Sequence, residues 1–239
     1  MYRKIIKNLQ KLKNSGKAKI LQGFFKTDKG EYGEGDVFLG IVVPLQRQVA
    51  KKYFPEASLT DLQKLLNSKI HEYRLVALLM LVAKSGDLSL TAGDKIEKNK
   101  EQIFDFYLKN TKNINNWDLV DLSAPNIVGN FLLDKDTKIL YKLATSKNLW
   151  ERRIAVISTF AFIKENQFID TLKIAELLLN DKHDLIHKAV GWMLREVGKR
   201  DIKSLENFLN KHYKTMPRTM LRYAIEKLPE NKRKKYLKK

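Results

Sequence analysis

Arg74-Leu-Val-Ala77, Arg153-Ile-Ala-Val156, Lys188-Ala-Val-Gly191 and Arg222-Tyr-Ala-Ile225 are four versions of one pattern, a basic residue followed by small and aliphatic ones. Their first residues are 79, 35 and 34 positions apart. The double-length first gap calls for a unit near its middle, and Asn116-Trp-Asp-Leu-Val-Asp121 lies there. A helix pair of about 34–47 residues cannot bury its own apolar face, so such pairs stack on their neighbours. The spacing therefore predicts an all-α, HEAT-like repeat superhelix, an α-solenoid. The second helix of each pair would line the inside, and the repeated cations would make a basic concave groove curved to hold a duplex.

Local signals agree with helices. Leu62, Leu65, Leu66 and Ile70 follow helical spacing behind Ser58-Leu-Thr-Asp61, a capping box. Arg74–Lys84 is a more apolar helix stopped at Ser85-Gly86, and Asp170 is placed to cap the helix that begins near Leu172. Pro125-Asn126 is expected to limit the helix carrying Trp117. Val37–Val43 is the one strand-like run; a single strand makes no sheet, so it reads as irregular packing or a helix start. These signals predict one HEAT-like domain over residues 1–230 and a basic tail over 231–239.

The composition narrows the function. With 46 Lys+Arg against 27 Asp+Glu over 239 residues, the net charge is +19, a surplus suited to phosphate backbones or anionic membrane. Fourteen of the cations fall between Lys199 and Lys239 against four acids. No cysteine is present, which excludes disulfides, cysteine-based zinc or iron–sulfur sites and a thiol nucleophile. No run of about 18 apolar residues suggests a membrane span. The basic start is interrupted by Lys7, Lys11 and Lys13 and does not read as a signal peptide, so a soluble, cytoplasmic protein is expected.

Candidate site residues sit on the repeat helices. Trp117 and Asp121 are i, i+4 and share a helix face, with Asp118 rotated off it. Lys188, Trp192, Arg195 and Lys199 form a stripe, and Arg218 and Arg222 a further basic pair. Trp150 reads as core, because Ile154 and Ile157 continue its face. A lone acid in a basic groove has two readings. Asp121 either neutralises a neighbouring arginine, or stays ionised beside a cationic transition state, where aromatic faces and an anion suit a sugar oxocarbenium ion. His183 and His187 lack the partners of a metal site. Lys29-Gly-Glu-Tyr-Gly-Glu-Gly-Asp36 is no phosphate loop, since its acids would repel phosphate. No metal or cofactor is expected.

Phe38-Leu-Gly-Ile41 with Pro44 and Arg47, Trp117-Asp-Leu-Val-Asp121, Asn148-Leu-Trp-Glu-Arg-Arg153 and Lys188–Glu196 occur in that order. Together they resemble the DNA alkylation repair enzymes of the AlkD type, HEAT-like repeat DNA glycosylases. The resemblance runs from about Phe24 to Lys227. It implies excision of positively charged alkylated purines, 7-methylguanine and 3-methyladenine, from double-stranded DNA without flipping the lesion into a pocket. It also implies Asp121 as catalytic carboxylate, Trp117 and Trp192 as the groove tryptophans, Arg153 as the catalytic-site arginine and Arg195 as a phosphate contact. Lys188 and Arg222 join as DNA contacts from the stripe geometry, with Arg218 beside Arg222 and Arg47 in the first motif. The Gly-rich segment Thr27–Asp36 departs from the family pattern and bears on lesion range.

The leading expectation is a monofunctional alkylpurine DNA glycosylase acting as a monomer. A catalytically silent DNA-binding or damage-sensing protein is the alternative, and a protein-binding scaffold is a third reading that the charge disfavours.

Overall fold

The computed structural model describes residues 1–86 and 94–238. Among them the structure is helical, with one isolated parallel bridge between Val37 and Ile70. No described helix is long and apolar enough to cross a membrane. The chain divides into two compact units, Met1–Ser123 and Ala124–Lys239.

The first unit holds α1 (Tyr2–Lys11), α2 (Ser15–Phe24), α3 (Val43–Tyr53), α4 (Leu59–Leu66), α5 (His71–Gly86), α6 (Asp94–Lys109) and α7 (Trp117–Ala124). Helix α5 is its spine: Leu75–Leu81 are all buried, and α5 packs on α3 and α4, whose Val49, Ala50, Leu62, Leu65 and Leu66 are buried too, while α1 closes over α3 and α4 with Ile5 and Leu9. The capping box that opens α4 is present. Ser58 Oγ accepts from the Asp61 N–H at 3.1 Å, and Asp61 accepts from the Ser58 N–H at 3.1 Å.

The second unit begins with Pro125–Gly129, followed by α8 (Asn130–Leu132), α9 (Lys138–Ala144), α10 (Leu149–Ser158), α11 (Phe160–Lys164) and α12 (Ile169–Leu177). It ends with α13 (Asp184–Arg200), α14 (Ile202–His212), α15 (Arg218–Ala224) and α16 (Glu230–Leu237). Its core is built on Ile154–Ile157 of α10 and Ile186, Val190, Met193 and Leu194 of α13. Gly191 lets α15 close onto α13; a Cβ there would lie 2.5 Å from both the Met220 carbonyl oxygen and the Tyr223 Cβ.

Two local expectations change and one is refined. Pro125 does limit α7, which ends at Ala124, but the helical path goes on: residues 125–129 adopt the wider π register, and Asn130–Leu132 return to α. A proline removes one i→i−4 bond and crowds that carbonyl, and widening the turn relieves both. Asp170 is not a cap; α12 starts behind Phe168, and Asp170 instead accepts from the Tyr141 hydroxyl at 2.5 Å and Thr137 at 3.2 Å. The basic terminus is not a solvated tail but helix α16. Its Tyr236 is buried and donates to Asn210 at 3.2 Å, while Lys232 pairs with Glu206 at 2.5 Å.

The repeat itself rests on a strap that the sequence pattern placed one residue out. Ser68 Oγ accepts from the N–H of Ile70, and Arg74 Nη1 donates back to the Ser68 carbonyl at 2.9 Å. Ser146 Oγ accepts from Asn148, and Arg152 Nη1 donates to the Ser146 carbonyl at 3.0 Å. Asp181 accepts from His183, and His187 Nε2 meets the Asp181 carbonyl at 2.6 Å. In each case residue n caps n+2, and the side chain of n+6 ties down the carbonyl of n, where the turn entering the helix would leave it orphaned. The partner of Arg74 in the array is therefore Arg152, not Arg153. Both arginines also pair with an aspartate from elsewhere in their own unit, Asp36 at 2.7 Å and Asp181 at 2.6 Å. The repeated cations at Arg74 and Arg153 are 3% and 5% exposed, so neither contributes to a basic lining.

Candidate active site

Trp117 and Asp121 lie one turn apart on α7. Trp117 is half-buried and closes a small aromatic cluster of Ala18, Phe25 and Phe38. Its ring stacks on Phe25 (5.2 Å, 18°), Phe25 stacks on Phe38 (5.0 Å, 18°), and Phe38 stacks on His71 (4.5 Å, 20°). The exposed Phe24 meets Trp117 edge-on at 6.0 Å. Such a column fixes the plane of the outermost ring while leaving part of it accessible.

Asp121 is half-buried. Beneath it the Tyr107 hydroxyl is fully buried and shares a 2.9 Å bond with Ser123. Burial pushes that phenol well above the ordinary tyrosine range, and the charge of Asp121 pushes it further, so Tyr107 stays a neutral neighbour of the carboxylate.

The loop ahead of α3 is pinned from α5. Glu72, fully buried, accepts from Leu39 at 2.9 Å, Gly40 at 2.8 Å and Ile41 at 3.2 Å. Gly40 has φ +83°, and a Cβ there would sit 2.1 Å from the Asn14 carbonyl oxygen. The Phe38–Ile41 motif is thus an anchor for the start of α2. Beside it His71 joins Asp36 (Nδ1, 3.1 Å) to Asp118 (Nε2, 2.8 Å), and Arg74 also reaches Asp36. Burial works against charge on His71, but the carboxylates of Asp118 and Asp36 outweigh it and hold the imidazole up at about 8. Burial likewise opposes ionisation of Asp36, yet the bonds and charges of His71 and Arg74 keep its carboxyl below the usual range. Asp36 is therefore a buried structural acid, not part of a phosphate-repelling surface.

In the second unit Trp192 is half-buried and tilts against Phe160 at 5.9 Å. The stripe around it is not purely cationic. Glu196 accepts from Trp192 Nε1 at 3.2 Å, Arg195 at 3.3 Å and Lys199 at 2.8 Å. Arg195 also pairs with Glu226, and Lys188 with Asp184 at 2.6 Å. The one-letter spacing counted the cations and overlooked Glu196 in their midst. Arg153 donates to the Leu185 carbonyl at 2.5 Å. Arg218 and Arg222 are exposed, Arg218 reaching the Leu237 carbonyl at 3.2 Å; Arg47 in the first unit is also exposed. Trp150 is buried, as its spacing predicts. His183 is the side-chain cap of α13, accepting from Leu185 at 3.1 Å, so the His183/His187 pair serves the strap. Among the described residues no group of three or more His, Asp or Glu could hold a metal.

The family profile described as DNA alkylation repair enzyme matches residues 5–228. The chain belongs to that family. A structure described as a predicted DNA alkylation repair enzyme from Enterococcus faecalis superposes with a TM-score of 0.67 at 18% identity, covering 91% of this chain and 97% of that one. That likeness shows the fold, helical and solenoid-like. No curated protein matches. Family membership supports a role in DNA repair.

Sequence reasoning missed two features. His71, Asp36 and Glu72 carry no local motif, because their partners are 31 or more residues away. The second feature was readable: residues 1–27 contain eight cations (Arg3, Lys4, Lys7, Lys11, Lys13, Lys17, Lys19, Lys26) and no acid. All eight are exposed and, among the described residues, only Lys26 is seen near an acid, Glu31 at 3.8 Å, whereas Lys188, Arg195 and Lys199 of α13 are held in ion pairs.

Proposed function

We propose that the protein is a monofunctional DNA glycosylase that excises positively charged alkylated purines, 7-methylguanine and 3-methyladenine, from duplex DNA. The observation that carries this reading is the pairing on α7 of a half-buried carboxylate with a tryptophan whose plane is set by a ring column and whose surface is not consumed by the core. An N-alkylated purine already bears the charge that makes it a leaving group. The C1′–N9 bond breaks with its electron pair going to the base, which departs neutral. Water then bonds to C1′ and gives up a proton. No general acid, metal or cofactor is needed; the enzyme must stabilise the oxocarbenium ion and place the water. Asp121 supplies the anion and Trp117 an aromatic face, which together act where positive charge develops. Tyr107, held neutral, does not compete for that charge.

Trp192 and Arg153 act in the second unit, Trp192 by packing on the sugar and backbone. Phosphates are contacted by Arg47, Arg218 and Arg222. Lys188 and Arg195 join them by exchanging their present carboxylate partners for phosphate, so each contributes less than a free cation. The acid-free face of α1 and α2 adds to the sequence-independent attraction. The protein works as a monomer on cytoplasmic, nucleoid DNA.

The test is incubation with a duplex carrying one 7-methylguanine, with the products resolved by mass spectrometry. Free 7-methylguanine and an abasic strand are expected. Salt-sensitive binding with no base release from 7-methylguanine or 3-methyladenine duplexes would replace this reading with that of a silent DNA-binding protein.

A further inference from the structure

We propose that His71, clamped between Asp36 and Asp118, is the positioning residue that sets Trp117 and the start of α7 for the reaction. The proposal rests on the glycosylase reading above. Two independent routes lead from His71 to Trp117. One is polar: Nε2 holds Asp118 at 2.8 Å, and the other oxygen of Asp118 accepts from the N–H of Leu119 at 2.8 Å, so the bond fixes the first turn of α7. The other is the ring column, in which His71 stacks on Phe38, Phe38 on Phe25 and Phe25 on Trp117. The imidazole is the only group that belongs to both.

Charge balance explains why a histidine stands there. The charged or titratable groups facing it are Asp36 from the Gly-rich segment, Asp118 from α7, and Arg74 from its own helix. Glu72 is the remaining nearby acid, but its carboxylate is turned to the three N–H groups of Leu39–Ile41. With His71 protonated, two anions meet two cations in a site whose side chains are all under a tenth exposed. Loss of the proton leaves one uncompensated negative charge there, and one of His71's two carboxylate contacts then has no hydrogen to share. Apposed in this way, Asp118 loosens and the indole loses its fixed plane. The clamp is thus engaged at neutral pH and released on the alkaline side, and it ties the Gly-rich segment to the reacting helix.

Three measurements on the full chain separate the outcomes. Single-turnover release of 7-methylguanine between pH 5.5 and 8.5 is expected to fall along an alkaline limb set by His71. In Asp118→Asn, which keeps the shape and removes the charge, that limb should move down by about one unit. His71→Gln should lose the limb and release base about tenfold or more slowly, with duplex affinity changed less than twofold. The third readout needs no catalysis: the indole N–H resonance of Trp117, assigned with Trp117→Phe, should follow the NMR titration of His71. An indole signal that ignores that titration, or an unmoved limb in Asp118→Asn, overturns the clamp. A wild-type protein that releases no base while its indole follows His71 overturns the glycosylase reading and leaves the clamp standing.

Discussion

Glu72→Gln isolates one charge with almost no change of shape. In the native protein the carboxylate takes three buried backbone N–H groups, from Leu39, Gly40 and Ile41, and one oxygen serves all three. Bonds to a charged acceptor contribute about 1 kcal/mol more than neutral ones. Three such bonds would lose about 3 kcal/mol, and the smaller cost of burying a neutral amide returns part of it. The amide nitrogen would also face the Leu39 N–H at the 2.9 Å position of Oε2, donor against donor. The net is a loss of about 2–3 kcal/mol. The loop cannot relax around it, because Gly40 is seated against the Asn14 carbonyl. Glu72→Ala strips all three N–H groups of their acceptor at about 1–3 kcal/mol each, which water entering the cavity limits to about 4–5 in total. Urea unfolding followed by circular dichroism gives the values, with the midpoint shifted and the slope unchanged. At roughly 2–4 °C per kcal/mol for a chain of this size, Glu72→Gln should melt about 5–10 °C lower. A Glu72→Gln protein within 0.5 kcal/mol of wild type would refute the reasoning, and so would one as unstable as Glu72→Ala.

Other outcomes follow from the same structure. His71 is held at about 8 against 6.5 when unfolded, so its contribution of about 2 kcal/mol is complete below pH 6.5 and lost as pH rises through 8; free energies of unfolding from urea titrations at pH 6 and 9 should differ by that amount in wild type and not in His71→Gln. Arg152→Gln removes a half-buried pair with Asp181 and the strap to Ser146, and calorimetry should record a loss of about 2–3 kcal/mol. The triple change of Lys4, Lys7 and Lys11 to Gln should flatten the slope of log affinity against log salt for duplex DNA by about 2–3, whereas Lys188→Gln, already paired with Asp184, should change it by less than about one.

The helices were largely legible because their signals are local. The capping box at Ser58, the apolar run of α5 and the core face of Trp150 each lie within a few residues of sequence. The repeat was legible in its period but not its register: Arg152 and Arg153 are adjacent and chemically alike, and only the carbonyl at Ser146 tells which is the strap. Asp36 was counted among the phosphate-repelling acids of the Gly-rich segment because the partners that bury it are 35 and 38 residues away. Trp192 was read inside a cationic stripe because spacing counts charges on a helix face without showing how Glu196 reaches two of them, Arg195 and Lys199, together with the indole. The C-terminal stretch hid a helix behind its lysines, with Tyr236 as the one apolar anchor that burial uses.

The central claim is that Asp121 is the anion of a base-excising site. Single-turnover release of 7-methylguanine from a defined duplex, with wild type and Asp121→Asn side by side at saturating enzyme, tests it most directly. The account predicts release by wild type and a loss of about 10²–10³-fold in the variant, with duplex affinity preserved. Release by Asp121→Asn at the wild-type rate would contradict it.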